Sequence, residues 1–130
     1  MKYLLDTDTV SYALRGIGGV SDRLRAQEPD DVCISSVTEA ELWFGVEKRG
    51  SKKLRRLVSS FLQPLQVVCF DSDAARCYGT IQSRLSDAGS PVGMADAMIA
   101  AVGLTRKLIV VTRNAKHFRR IRGLTLEDWT

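Results

Sequence analysis

Short apolar segments alternate with longer amphipathic segments along this chain, and this alternation limits its possible folds more than any other feature. Four apolar runs, at residues 3–5, 32–34, 67–70 and 108–111, are rich in β-branched residues and too short for helices. Apolar strands separated by helices predict a parallel sheet that is covered on both faces. The predicted fold class is therefore α/β.

The segments between these runs predict helices and short loops. Apolar residues recur at helical spacing over residues 52–62, 74–85 and 94–104. The first of these segments is basic on its other face, so it could bind RNA, a partner or another copy of the chain. The predicted loops at residues 16–19 and 87–93 are too short to separate domains. We therefore expect residues 1–130 to form a single domain.

The cysteines and the N-terminus bear on localisation. Cys33, Cys69 and Cys77 are odd in number and show no CxxC or Cys/His metal-binding spacing, and the first two lie in apolar runs. We expect those two to be small buried residues in a reducing compartment. The N-terminus reaches Asp6 too early for a signal peptide, and no apolar run approaches about 18 residues. These features predict a cytoplasmic protein without a membrane partner.

Charge is unevenly distributed. The chain has 19 Lys and Arg against 15 Asp and Glu, a net charge of +4. Residues 1–50 hold nine acids and six bases, whereas residues 101–130 hold seven bases and two acids. A small basic excess is compatible with a polyanionic partner but is common among proteins.

Polar residues follow two of the predicted strands. Asp6 follows the first, and Thr112, Arg113 and Asn114 follow the strand at 108–111. In parallel sheets ligands bind beyond the carboxyl ends of the strands, near a topological switch point. Asp and Asn are also good caps and turn residues, so each alone has a purely structural interpretation.

Glu41 has no such structural interpretation. Ser36 and Glu39 have the spacing of a capping box, which predicts a helix start near Val37. The helical neighbours of Glu41 are apolar or small, with no base at ion-pair spacing, so we expect a carboxylate in an apolar setting. A buried, unpaired carboxylate costs several kcal/mol unless something compensates it.

Asp96 is a third carboxylate in apolar surroundings. It lies in the first turn of the predicted helix at 94–104, where the helix dipole offers a structural alternative. Clustered carboxylates are tenable only with a cation or shared protons, because two like charges 4 Å apart repel by about 4 kcal/mol at an effective dielectric of 20. Oxygen-only ligands select Mg²⁺ or Mn²⁺, which typically serve phosphoryl transfer.

Four short motifs contain the acids and polar residues described above. They are Leu4-Leu5-Asp6-Thr7, Ser36-Val37-Thr38-Glu39-Ala40-Glu41-Leu42-Trp43-Phe44-Gly45, Asp96-Ala97-Met98-Ile99-Ala100-Ala101 and Val111-Thr112-Arg113-Asn114. In this order they resemble the four motifs of PIN-domain ribonucleases, with the closest likeness to VapC-type toxins of bacterial toxin–antitoxin pairs. Each motif alone is weak, whereas four in order over nearly the whole chain are specific.

The resemblance implies a PIN-like, three-layer α/β/α fold with a mainly parallel sheet, and a Mg²⁺-dependent endoribonuclease. Asp6, Glu41 and Asp96 correspond to the metal-binding acids of the family. Asn114 corresponds to a fourth catalytic position that is often Asp, so the second metal is in doubt. The family also implies an RNA substrate and a VapB-like antitoxin, with which the toxin binds promoter DNA; we also expect a homodimer.

Several residues near these motifs have two interpretations. Asp8 is either a further metal ligand or the N-cap of the first helix, and Thr112 is expected to line the site. The only histidine, His117, could be a general base, although the metal mechanism does not require one. The basic residues after the last motif either contact RNA phosphates or form a solvated face. These are Arg113, Lys116, Arg119, Arg120 and Arg122.

Two rival functions fit parts of the sequence. A non-catalytic nucleic-acid-binding module of the same fold would explain the missing fourth acid at Asn114. A small-molecule phosphatase would use the D-x-D spacing of Asp6 and Asp8, but it would leave Glu41 unexplained.

Overall fold

A computed structural model describes residues 1–130 as a five-stranded sheet with helices on both faces. The strands are β1 Tyr3–Leu5, β2 Val32–Ser35, β3 Gln66–Val68, β4 Ile109–Val111 and β5 Leu126–Glu127. The helices are α1 Thr7–Arg15, α2 Val20–Arg25, α3 Ser36–Arg49, α4 Lys52–Leu62, α5 Ser72–Asp87, α6 Met94–Arg106 and α7 Ala115–Phe118, with a 3-10 turn at Pro29–Asp31. The α/β prediction is confirmed. None of the helices is both long and apolar enough to cross a membrane.

The strand order places β1 at the centre of the sheet. The order is β3-β2-β1-β4-β5, and every pair is parallel. Leu5, the last residue of β1, is in register with Ile34 on one side and Val111 on the other. The chain builds outward to β3 and then returns to the other side of β1. The topological switch point therefore lies between the carboxyl ends of β1 and β4, where such sheets bind ligands.

Each face of the sheet is buried under its own set of helices. Leu4, Cys33 and Val110 pack with α5 and α6 in one apolar core. Leu5 and Ile34 point the other way and pack with α1 to α4. Because alternate side chains both enter a core, the strands are apolar throughout. The three-layer α/β/α prediction is confirmed.

Two features of the fold differ from the sequence prediction, one after β3 and one at the C-terminus. Strand β3 ends at Val68, so Cys69 is exposed and its predicted burial is wrong. Strand β5 was not predicted because two residues are too short to show a period. It brings Trp129 back to β1, where its ring lies edge-on to Tyr3 at 5.0 Å between centroids.

The start of α3 is shifted by one residue from the predicted capping box. Ser35 is the N-cap, and its hydroxyl accepts a hydrogen bond from the Thr38 amide at 3.1 Å. The hydroxyl of Ser36 instead accepts from the Phe70 amide at 3.0 Å. The predicted pair of Ser36 and Glu39 is therefore wrong, because β2 runs through Ser35 directly into the helix.

Candidate active site

Asp6 caps a helix and also lies at the switch point of the sheet. It follows β1, and its Oδ1 accepts a hydrogen bond from the Thr9 amide at 2.9 Å, which starts α1. Only 2% of the residue is exposed. Burial raises the pKa of Asp6, and hydrogen bonds from Thr112 and Thr9 partly oppose this shift. The structural and functional interpretations of Asp6 thus apply together, since one oxygen is enough for the cap.

Asp96 reaches the same edge of the sheet from α6. This helix leads into β4 at the opposite edge, so its first turn lies near the carboxyl ends of the strands. Burial raises the pKa of Asp96, and the negative charges of Asp6, Asp8 and Glu41 raise it further. The fold therefore brings four carboxylates into electrostatic contact although they are far apart in sequence.

Glu41 is exposed, so the apolar setting expected for its carboxylate is wrong. Helix α3 buries Leu42 and Val46 instead. The Glu41 Oε1 accepts a hydrogen bond from the Thr7 hydroxyl at 2.5 Å, and that hydroxyl lies 3.2 Å from Thr38 Oγ1. Sequence reasoning overlooked Thr7 and Thr38, whose only sequence signal was their position inside two of the motifs.

Asn114 and Asp8 contact each other across 106 residues of sequence. The side-chain amide of Asn114 donates a hydrogen bond to Asp8 Oδ2 at 2.8 Å. Its backbone amide donates to the Thr112 hydroxyl at 2.9 Å. Because Asp6 caps α1, the alternative of Asp8 as the N-cap is wrong.

None of these carboxylates belongs to an ion pair of the structure. The four ion pairs of the structure involve other acids, which are Glu127, Asp22, Glu47 and Asp71. No three His, Cys, Asp or Glu side chains converge closely enough to hold a metal ion as they stand. The chemistry of the site nevertheless fits a hard divalent cation, because its donors are oxygens and the carboxylates repel one another. Such a cation would relieve the repulsion that raises the pKa of Asp96.

The basic residues after β4 make no ion pairs with the acids and lie in different surroundings. Arg113 lies over the Tyr12 ring, with its guanidinium carbon 4.8 Å from the ring centroid. Lys116 and Arg119 are exposed on and beside α7. Arg120, together with Arg122, lines a separate cavity against α5. His117 is exposed, and its charge lowers the pKa of nearby Asp96.

A groove of about 380 Å³ opens beside the carboxylates, between α1, α3 and α4. Asp8 and Glu41 line it, and so do Arg15 and Arg49. Sequence reasoning overlooked these two arginines because they lie at the ends of separate helices and belong to no motif. They are the basic residues that share a groove with the acids.

Known proteins share this fold and sequence pattern. Residues 3–124 match the PIN domain family. The tRNA(fMet)-specific endonuclease VapC of Salmonella typhimurium is 35% identical over 133 residues, covering 99% of this chain and 98% of the relative. The DNA-bound VapBC structure from Salmonella typhimurium has a TM-score of 0.90 and 36% identity, covering 100% of this chain and 99% of that one. VapBC2 from Rickettsia felis, bound to a promoter DNA fragment, has a TM-score of 0.88 and 30% identity, with full coverage of both chains. The chain therefore belongs to the PIN domain family.

Proposed function

We propose that this chain is a single-domain, metal-dependent endoribonuclease and the toxin of a toxin–antitoxin pair. The observation that supports this most strongly is the set of carboxylates at the switch point, none of which belongs to an ion pair. A full-length relative at 35% identity is named as an endonuclease for tRNA(fMet). The acid site and the relative's name thus point to the same chemistry on RNA.

Asp6, Asp96 and Glu41 would hold the cation, which is Mg²⁺ or Mn²⁺ given the oxygen ligands. When bound there, such a cation would supply polarisation of a phosphodiester oxygen and a lower pKa for a water molecule. The chain's own residues prepare this site. Thr112 and Thr9 orient the Asp6 carboxylate, and the hydrogen bond from Thr7 orients Glu41.

Asn114 acts on the site through Asp8. An amide at this position brings no negative charge, but its donated hydrogen bond fixes the Asp8 carboxylate at the edge of the acid cluster. Asp8 thus supplies a fourth charge, and Asn114 positions it. This arrangement favours a catalytic site over a non-catalytic module that has lost its fourth acid.

Contacts outside the acid site would come from basic residues and from partners. We assign RNA phosphates to Arg113, Lys116, Arg119 and Arg120, which are exposed and have no carboxylate partner. By likeness to the VapBC structures, we also propose a VapB-like antitoxin and promoter DNA binding through that complex. A homodimer in the cytoplasm is part of the same proposal.

Cleavage assays test the activity. The purified chain is incubated with RNA, starting with initiator tRNA, in Mg²⁺ or in EDTA. Glu41→Gln should slow cleavage by about 100-fold or more, because losing even an outer contact to a metal site costs about 10 to 100-fold. The matched control is Glu47→Gln, on the same helix but in a surface ion pair with Arg55. Cleavage that persists in EDTA or in Glu41→Gln would contradict the proposal, and metal-independent RNA binding without cleavage would favour the non-catalytic module.

A further inference from the structure

A cavity on the other side of the sheet from α1 to α4 is not used by the proposed chemistry. It measures about 540 Å³ and lies between α5 and the segment that follows α7. This volume is within the range of about 300 to 1,000 Å³ that is typical of ligand sites. Cys77 and Thr80 of α5 are among its lining residues.

The charge of this cavity is of one sign. Arg84, Arg120 and Arg122 line it, and no acidic residue does. None of the three belongs to an ion pair of the structure. Three guanidinium groups without a carboxylate partner favour an anionic ligand, and guanidinium geometry suits phosphate in particular.

The inner wall of the cavity is apolar. Ile81, Leu85 and Ile121 are buried side chains, and Leu104 is half-buried beside them. A ligand that fits both features has a negatively charged group and a flat or apolar body. A nucleotide has both, because its phosphate can contact arginines while its unstacked base lies against side chains or a guanidinium plane.

The cavity is close to the acid site along the chain. Asn114 lies at the acid site, and α7 separates it from Arg120. The six residue steps from Asn114 to Arg120, which include the four residues of α7, extend about 9 Å at a helical rise of 1.5 Å each. Lys116 and Arg119 lie in this short interval and add positive charge to it. One RNA strand can therefore reach from the acids to the cavity along basic side chains.

We propose that this cavity binds one nucleotide of the single-stranded RNA that flanks the cleaved bond. The inference rests on the proposed ribonuclease function and adds a binding site to it. Arg84 and Arg122 contact phosphate oxygens, and the base enters beside Thr80 and Cys77.

Binding is measured in EDTA with the full-length chain and a fluorescein-labelled single-stranded oligoribonucleotide, by fluorescence anisotropy. Arg84→Ala and Arg122→Ala should each weaken binding by at least tenfold, about 1.4 kcal/mol, because each variant loses a charge-assisted hydrogen bond to a phosphate. Each variant should also reduce the slope of log affinity against log salt concentration by about 1, because it loses one phosphate contact. The matched control is Arg76→Ala, which removes the same charge from α5 outside the cavity and should leave affinity unchanged.

Two further measurements locate the ligand. Thr80→Trp keeps all three arginines but fills the cavity, so it should weaken RNA binding as much as an arginine variant does. The RNA should also slow alkylation of Cys77 by N-ethylmaleimide, measured by mass spectrometry, while exposed Cys69 serves as the internal reference.

The outcomes separate this inference from the proposed function. Unchanged binding in Thr80→Trp, or RNA binding without protection of Cys77, would overturn the nucleotide cavity even if the chain cleaves RNA. Protection of Cys77 by an acidic amphipathic peptide but not by RNA would assign the cavity to a protein partner and overturn it too. Protection by RNA in a chain that cleaves nothing would support the cavity and refute the ribonuclease.

Discussion

Asp6 offers the sharpest test, because its two roles can be separated by two substitutions. One carboxylate oxygen caps α1 through the Thr9 amide, and the charge of the group serves the acid site. Asn keeps an oxygen that can accept from Thr9, and Asn is as good an N-cap as Asp. Ala removes both the cap and the charge. The two variants should therefore be equally inactive but differently stable.

The difference in stability follows from the contacts of Asp6. Losing an N-cap costs about 1 kcal/mol, and leaving a buried polar partner unsatisfied costs about 1 kcal/mol more. Asp6→Ala should thus be about 2 kcal/mol less stable than Asp6→Asn. For a chain of this size that corresponds to about 6 to 10 °C in melting temperature. In EDTA, Asp6→Asn should be at least as stable as wild type, because burial disfavours the charge that it removes.

The assays are thermal unfolding by circular dichroism in EDTA and initial rates of RNA cleavage in Mg²⁺. Both variants should lose cleavage by about 100-fold or more if the carboxylate holds the metal. Equal melting temperatures for the two variants would refute the capping role. Cleavage by Asp6→Asn within a few-fold of wild type would refute the assignment of Asp6 as a metal ligand.

Three further predictions address charge and packing. The pKa of Asp96 is raised above 3.8 in the folded chain, so the folded state holds the proton more tightly than the unfolded state. In urea unfolding with EDTA, the free energy of unfolding of wild type relative to Asp96→Asn should therefore be highest below pH 3.8 and should fall as pH rises through the raised pKa of the folded state. A rise over this range would contradict the reasoning. Asn114→Asp places a carboxylate where an amide now donates to Asp8 at 2.8 Å, so the two carboxylates should repel each other. The melting temperature without metal should therefore fall, and Mn²⁺ should raise it by more than in wild type. An equal increase with Mn²⁺ in both proteins would contradict this. In Gly103→Ala the new Cβ would lie 2.7 Å from a methyl group of Val110 in β4. Chemical unfolding should show that this overpacking lowers the free energy of unfolding by about 1 to 3 kcal/mol, partly offset by about 1 kcal/mol from the better helix propensity of Ala. Gly79→Ala, where the new Cβ meets open space, should not destabilise the chain.

The sequence predicted the four main strands because buried parallel strands are apolar on both faces. The helical spacing of apolar residues predicted the helices at 52–62, 74–85 and 94–104, with ends within two residues of the observed ones. Strand β5 and the exposure of Cys69 could not be predicted. Both depend on where the chain leaves the sheet, which local periodicity does not record.

At the acid site, the sequence identified the residues but not how each is held. The four motifs and the rule for ligand sites in parallel sheets selected Asp6, Glu41, Asp96 and Asn114. The apolar setting expected for Glu41 was wrong, because neighbours at three and four residues do not reveal which side of a helix faces the core. Its hydrogen bond from Thr7 spans 34 residues and exists only in the folded chain.

By itself, then, the sequence determined the α/β class, the order of the elements and the types of residue that meet at the switch point. These follow from periodicity and from chemistry that is local to each segment. Only the tertiary structure decided that Asn114 holds Asp8, that Arg15 and Arg49 share a groove with the acids, and that Arg120 joins α5 in a separate cavity. Such contacts depend on the packing of elements that are distant in sequence, so no local pattern encodes them.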